Sequence, residues 1–168
     1  MSLHQDLLAQ ARHLLRKEPR RPKQASLRRA VSAAYYALFH LLVYESSKKL
    51  ISGTAHAGLR ALTSRAFEHG TMKQASRAFA SGGLPPSLQL LVPQGIPLEI
   101  RRIAEIFVYV QEARHEADYD VTLRLTRYEA QALVAQVREA FRLWNSVLAD
   151  PAARVYLAAL LLWRQWSR

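Results

Sequence analysis

The chain has 168 residues, half of them apolar, with 24 Lys and Arg against 13 Asp and Glu and no cysteine. This length suits one domain with a substantial core, and the lack of cysteine excludes disulfides, thiolate nucleophiles and cysteine metal sites. The formal charge of +11 predicts an acidic partner, and because 19 of the 24 cations are arginine, whose planar fork matches phosphate, a nucleotide or nucleic acid is the first candidate. An acidic protein partner is the second, and a generic basic surface is the simplest alternative.

The N-terminal segment contains neither an apolar stretch of signal-peptide length nor a small-residue cleavage site, so we expect a cytoplasmic protein. Near the C-terminus, the longest apolar run covers residues 155–163. A helix needs about 20 apolar residues to span a bilayer, so no membrane crossing is expected.

The first predicted helix has an apolar face and ends at Glu18, because Pro19 and Pro22 cannot continue the hydrogen-bond ladder. The face consists of Leu3, Leu7, Ala11, Leu14 and Leu15. A long second helix is predicted from Ala25 to Ile51, with apolar residues at three- and four-residue steps that face a core. Beside this stripe runs a polar row at similar steps: Arg29, Ser32, Tyr36 and His40. A polar row beside a buried face predicts a cleft.

The middle of the chain predicts a less regular structure. After Gly53, which we expect to end the second helix, Thr54 is predicted to cap a third helix that breaks near Gly70 and resumes from Thr71 to Phe79. This helix carries Leu59, Leu62 and Ala66. Residues 81–97 contain four prolines and three glycines among apolar residues, which indicates an irregular but packed connection.

Three further helices complete the prediction. The fourth starts at Pro97 and has an apolar stripe that ends in Gln111 and Arg114. Residues 121–125 offer one short candidate strand, and Thr126 with Glu129 then forms a capping box for the fifth helix. Its predicted inward residues are Ala130, Leu133, Val134, Val137, Phe141, Trp144 and Leu148. Asp150 and Pro151 supply the N-cap and first turn of a last helix that is apolar on most sides.

These patterns predict an all-α fold, an up-and-down helical bundle of about five to six helices with an extra C-terminal helix. We interpret residues 1–168 as a single domain. Residues 151–168 form the C-terminal helix, which is the candidate dimer contact because a helix apolar on most sides has to be covered.

The densest group of titratable side chains lies at the C-terminal end of the fourth helix, in residues 114–120. Arg114 and Asp118 are four residues apart and share a helix face, as do His115 and Tyr119. Two interpretations of the first pair stay open. It can be an ion pair that orders the helix end, or Asp118 can orient the Arg114 guanidinium toward a phosphate.

Two segments resemble motifs of the HEPN domain family of prokaryotic toxin–antitoxin systems and nucleotidyltransferase partners. LRRAVSAAYYALFH, residues 27–40, is similar to the family's first motif helix, and EARHEADYD, residues 112–120, is similar to its arginine-centred R..ADY signature. His56 also stands where small bacterial members often have histidine. The resemblance covers about residues 10–148 and leaves out the last helix.

The resemblance implies a helical bundle that usually dimerises, with the arginine motifs of two subunits facing a shared cleft. Carried over, Arg114 is the phosphate-binding arginine. In ribonuclease members a histidine follows after four to six intervening residues and acts as general acid or base on RNA without metal, but those positions here hold Tyr119, Asp120 and Val121. His40 is the candidate replacement if the fold brings it to Arg114.

Our preferred hypothesis is therefore a HEPN-like module that binds a nucleotide or RNA phosphate and forms a homodimer. We expect it to be the partner of a nucleotidyltransferase or a member of a toxin–antitoxin pair. The expected binding residues are Arg29, Ser32, Tyr36, His40, Arg114, Asp118 and Tyr119. One alternative is a metal-independent ribonuclease toxin with Arg114 and His40 as catalytic candidates, and another is an oligomeric interaction module without nucleic-acid binding. No cofactor and no metal site is expected, because the histidines lack carboxylates at ligand spacing; we expect His4, His13 and His69 to face solvent.

Overall fold

The computed structural model describes residues 2–167, apart from the side chain of Thr54, whose predicted cap therefore lies outside the described part. These residues form α1 (Leu3–Arg16), α2 (Gln24–Leu50), α3 (Ala57–Ser64), α4 (His69–Ser81), α5 (Pro86–Gln89), α6 (Leu98–Tyr119), α7 (Arg127–Ser146) and α8 (Pro151–Trp166), with a 3-10 turn at Thr54–His56. None of the described residues is in a strand, including residues 121–125. The all-α prediction is confirmed, whereas that strand is not formed.

The described residues contain eight α-helices rather than five or six, because the third predicted helix is two helices and α5 lies inside the proline-rich connection. The expected break is present, but it lies a few residues before Gly70. The chain leaves the helix between Ser64 and His69, and Gly70 is the second residue of α4. The buried ring of Phe67 anchors the break instead.

The chain divides into two compact units, each a group of packed helices. Unit 1 contains Met1–His40 and Ile106–Arg142, and unit 2 contains Leu41–Glu105 and Leu143–Arg168. Helices α2, α6 and α7 contribute residues to both units. The single-domain interpretation stays a prediction.

The core of unit 1 follows the predicted helical steps. Within residues 30–39 of α2 every residue but Tyr36 is buried, and the ring of Tyr35 lies 5.9 Å from that of Phe107 on α6. The buried set includes Ala11, Leu15, Leu27, Ala30, Val31, Ala34, Tyr35, Leu38, Phe107, Val110, Ala130, Leu133, Val134 and Val137. The capping box of α7 is confirmed, since the Thr126 N–H donates to Glu129 at 2.7 Å and the Glu129 N–H donates to Thr126 Oγ1 at 3.2 Å.

The face of α1 differs from the prediction. His4, expected to face solvent, is only 8% exposed, whereas Leu3 is 58% exposed. Burial of this imidazole is tolerated because its Nε2 lies 2.9 Å from Ser2 Oγ and its ring lies 5.9 Å from that of Phe141. The inward face of α1 is therefore set by His4, Ala11 and Leu15, and the expectation for His4 was wrong.

In unit 2, α8 packs against α4. Its start is as predicted: Asp150 Oδ1 accepts a hydrogen bond from the Ala152 N–H at 2.8 Å, and Pro151 is the first helical residue. The buried residues of α8 are Ala152, Ala153, Tyr156, Leu157, Ala159, Leu160 and Trp163. In contrast, α3 buries no residue, and Leu148, expected to face inward, lies beyond the end of α7 and is exposed.

Candidate functional site

The polar row of α2 meets the C-terminal part of α6 inside unit 1. Arg114 Nε lies 2.8 Å from Asp118 Oδ2, and Arg114 Nη2 donates to the Tyr36 hydroxyl at 2.7 Å. Ser32 Oγ in turn donates to Asp118 Oδ1 at 2.6 Å. We call these residues, together with Tyr119, the Arg114 cluster. Four-residue steps on both helices, 32 to 36 and 114 to 118, place the polar groups on facing sides.

The Arg114–Asp118 pair is largely out of solvent. The two side chains are 20% and 19% exposed. Asp118 as a whole residue is exposed, because its backbone lies near the end of α6. The Nε–H is not aligned with the carboxylate well enough for a hydrogen bond, so the 2.8 Å contact is an ion pair. Because removal of one partner leaves a buried charge uncompensated, Asp118 is needed to hold Arg114 here.

Aromatic rings surround the guanidinium. Arg114 Cζ lies 5.3 Å from the ring centroid of Tyr36, 5.8 Å from that of Tyr119 and 5.9 Å from that of Tyr35. These distances fall within the range of cation–π attraction. Tyr35 is fully buried, and burial raises its pKa far above the usual value for tyrosine despite the opposing charge of Arg114. Tyr119 is 65% exposed, so its ring forms the open side of the cluster.

Arg114 retains hydrogen-bonding capacity. Nε faces Asp118 and Nη2 binds Tyr36, while within residues 2–167 no hydrogen bond involves Nη1. A guanidinium has five N–H donors, so at least the two on Nη1 can still bind an anion. The cluster thus combines a fixed orientation with open donors next to an exposed aromatic ring.

His40 lies beside this cluster. Its ring is stacked with that of Tyr36 at a centroid distance of 6.3 Å and also meets Phe39 edge-on. In the described part of the chain, no hydrogen bond joins His40 to Arg114. Burial lowers the pKa of His40 below its usual value, and the nearby His4 lowers it further. The lowered pKa favours the neutral imidazole, and among the described residues the ring contact of His40 with the cluster is with Tyr36.

Arg29 does not join the group. It is exposed, and none of the contacts of the Arg114 cluster involves it. Its neighbour Arg28 points to the end of α6 instead and donates to the carbonyl oxygens of Ala117, Asp120 and Leu123 at 2.7–2.8 Å. Cations at a helix C-terminus satisfy such carbonyls and the helix dipole. Arg28 was missed, although residues 28, 32, 36 and 40 form an unbroken series of four-residue steps.

The other features of the chain add no further chemistry to this site. Across residues 2–167, no three His, Asp or Glu side chains come together in a way that suits a metal ion. The helices described there are all too short or too polar to cross a membrane. Comparison with protein-family models, curated proteins and solved structures found no match.

Proposed function

We propose that this chain binds the phosphate group of a nucleotide or of RNA through Arg114. The observation that carries the proposal is the state of the guanidinium: Asp118 and Tyr36 fix its orientation at 2.8 and 2.7 Å, while Nη1 has no hydrogen-bond partner among the described residues. A guanidinium held in this way meets a phosphate with little loss of side-chain entropy, and two N–H groups can bind two phosphate oxygens.

The exposed ring of Tyr119 suits the remainder of such a ligand. It lies 5.8 Å from Arg114 Cζ and is 65% exposed. Bases stack on exposed aromatic rings with little dependence on their identity. A phosphate on Arg114 and a base on Tyr119 would therefore be within one nucleotide of each other, which favours a nucleotide or RNA over a bare carboxylate.

The HEPN resemblance supports the same proposal, because Arg114, Asp118 and Tyr119 are the residues that match its second motif. It also implies the partners that we propose, a second copy of the chain or a nucleotidyltransferase. No observation favours the ribonuclease alternative over binding alone, since residues 119–121 contain no histidine and His40 stacks on Tyr36 without a hydrogen bond to Arg114.

Calorimetric titration with a nucleoside monophosphate tests the proposal. Arg114→Gln removes the charge and should weaken binding about tenfold or more, the usual effect of losing a charge-assisted hydrogen bond. Arg164→Gln is the matched control, because Arg164 forms an exposed ion pair with Glu68 at 2.8 Å. It should bind like wild type. Circular dichroism checks that both variants fold, and equal affinities for all three proteins would overturn the proposal.

A further inference from the structure

A second group of arginines lines a groove between α1 and α7 of unit 1. The groove encloses about 180 Å³ and is lined by Arg12, Leu15, Arg16, Gln131, Val134, Ala135 and Arg138. We call it the arginine groove. It shares no residue with the Arg114 cluster and was not predicted as a site from the sequence.

Helical spacing explains the position of these side chains. Arg12 and Arg16 are four residues apart and lie on one face of α1, and Arg138 lies seven residues after Gln131 on one face of α7. Between them, Leu15 and Val134 are 6% and 3% exposed and belong to the core of unit 1. The three arginines therefore project from helices that are held by buried side chains, which fixes the positions on the backbone from which the charged side chains extend.

The positive charge of this groove is not compensated by the protein. No carboxylate lines it, and within residues 2–167 no hydrogen bond or ion pair involves Arg12, Arg16 or Arg138. Arg28 and Arg114, by contrast, bind carbonyls or a carboxylate. Three neighbouring cations repel one another and concentrate positive potential in a concave surface, which attracts polyanions.

We propose that the arginine groove binds the phosphodiester backbone of a nucleic-acid strand. Arginine forks match phosphate oxygens, and several phosphates along a strand can satisfy several arginines at once. The lining has no aromatic ring for base stacking and no acidic group, so the contacts are to the backbone and do not depend on base sequence. This site stands independently of the phosphate site proposed at Arg114.

The test compares two triple variants with the same loss of charge. Arg12→Gln/Arg16→Gln/Arg138→Gln removes the cations of the groove, and Arg65→Gln/Arg124→Gln/Arg154→Gln removes three exposed arginines that do not line it. Binding of a fluorescent oligouridylate and an oligothymidylate is measured by anisotropy over a range of salt concentrations. A single strand contributes a slope of about −0.7 in log affinity against log salt for each neutralised phosphate. The groove variant should lose about 2 units of slope, and the control should keep the wild-type slope.

Equal slopes and affinities for wild type and the groove variant overturn the proposal. A second result also overturns it: a polyglutamate probe binds with the same affinity as the oligonucleotides and loses this affinity in the groove variant. The groove would then be a general polyanion site. Binding of both oligonucleotides supports a shared phosphate backbone, whereas binding of only one identifies the sugar or the base as a further contact. Arg114→Gln is measured in parallel. If it leaves strand binding unchanged while the groove variant weakens it, the groove binds the strand without Arg114, and the Arg114 proposal is decided by the titration with a nucleoside monophosphate. Should the triple variant misfold by circular dichroism, Arg12→Gln and Arg138→Gln alone are each expected to lower the slope by about 0.7.

Discussion

Ser32 acts on Arg114 through Asp118. It is 4% exposed, and its hydroxyl donates to Asp118 Oδ1 at 2.6 Å, while the other carboxylate oxygen faces the guanidinium. The same carboxylate thus joins α2 to α6 and sets the direction of the cation. A residue that binds no ligand itself can in this way determine how well a ligand is bound.

Ser32→Ala should lower the free energy of unfolding by about 1–2 kcal/mol, because it removes a hydrogen bond to a charged and mostly buried group. Urea denaturation followed by circular dichroism measures the change. Ser52→Ala is the control, since Ser52 is exposed and forms no hydrogen bond within the described residues; it should stay within about 0.5 kcal/mol of wild type. If the two variants were equally stable, the Ser32–Asp118 bond would contribute nothing.

His40 should make stability depend on pH. Burial lowers its pKa in the folded chain, so the unfolded chain takes up a proton first as pH falls below about 6.5. Stability increases with pH wherever the unfolded state binds more protons. The free energy of unfolding should therefore fall as pH drops from about 7 toward 5, and this part of the loss should disappear in His40→Gln.

Urea denaturation at a series of pH values measures the effect of His40. His13→Gln serves as control for a change of histidine to glutamine at an exposed position. A His40→Gln protein that loses stability with falling pH as steeply as wild type would show that another group carries the dependence, with His4 the first to examine because it lies near His40.

Two residue assignments could not be made from the sequence, for one physical reason. Arg28 and Arg29 both fit helical steps toward Ser32, and Leu3 and His4 are both plausible inward residues. One residue turns a helix by about 100°, and the rotation of each helix is fixed by what it packs against. In each case the partners of the side chain determine which residue faces inward. The carbonyl oxygens at the end of α6 bind Arg28, and Ser2 and Phe141 contact His4.

At the scale of helices, the sequence predicted helix bounds correctly where a capping side chain binds the backbone at the start of a helix. The second helix, predicted over 25–51, is Gln24–Leu50, and the caps at Thr126 and Asp150 are formed. The break between α3 and α4 has no such signal, since it contains neither glycine nor proline. It depends on the burial of Phe67, a tertiary contact that sequence spacing does not show.

The packing of α8 on α4 includes one buried polar contact, in which Ser76 Oγ and Tyr156 OH lie 2.9 Å apart. Tyr156→Phe should cost about 1–3 kcal/mol, because it leaves the fully buried Ser76 hydroxyl without this partner. Ser76→Ala added to Tyr156→Phe should cost less than the sum of the single changes, since both polar groups are then absent. Urea unfolding of the four proteins gives the coupling energy. Additive effects would contradict a hydrogen bond that contributes to the α4–α8 contact.

At the scale of the whole molecule, dimerisation stays a prediction. Most apolar residues of α8 are covered within unit 2, and the apolar residues left partly exposed are Val155, Ala158, Leu161, Leu162 and Trp166. A symmetric copy could cover them. Light scattering at micromolar concentration should give twice the mass of one chain, and Leu161→Glu should lower it. A monomeric mass for wild type would contradict the prediction.

The phosphate site at Arg114 is tested most directly by the Nε–Hε resonance of this arginine in a ¹H–¹⁵N spectrum, identified by its absence from Arg114→Gln. Nε is buried beside Asp118, so its resonance reports on the guanidinium itself. Addition of a nucleoside monophosphate should shift this resonance in a saturable way, and the same nucleoside without phosphate should not. A resonance that stays unmoved at saturating ligand, or that moves equally with the nucleoside, would contradict phosphate binding at Arg114.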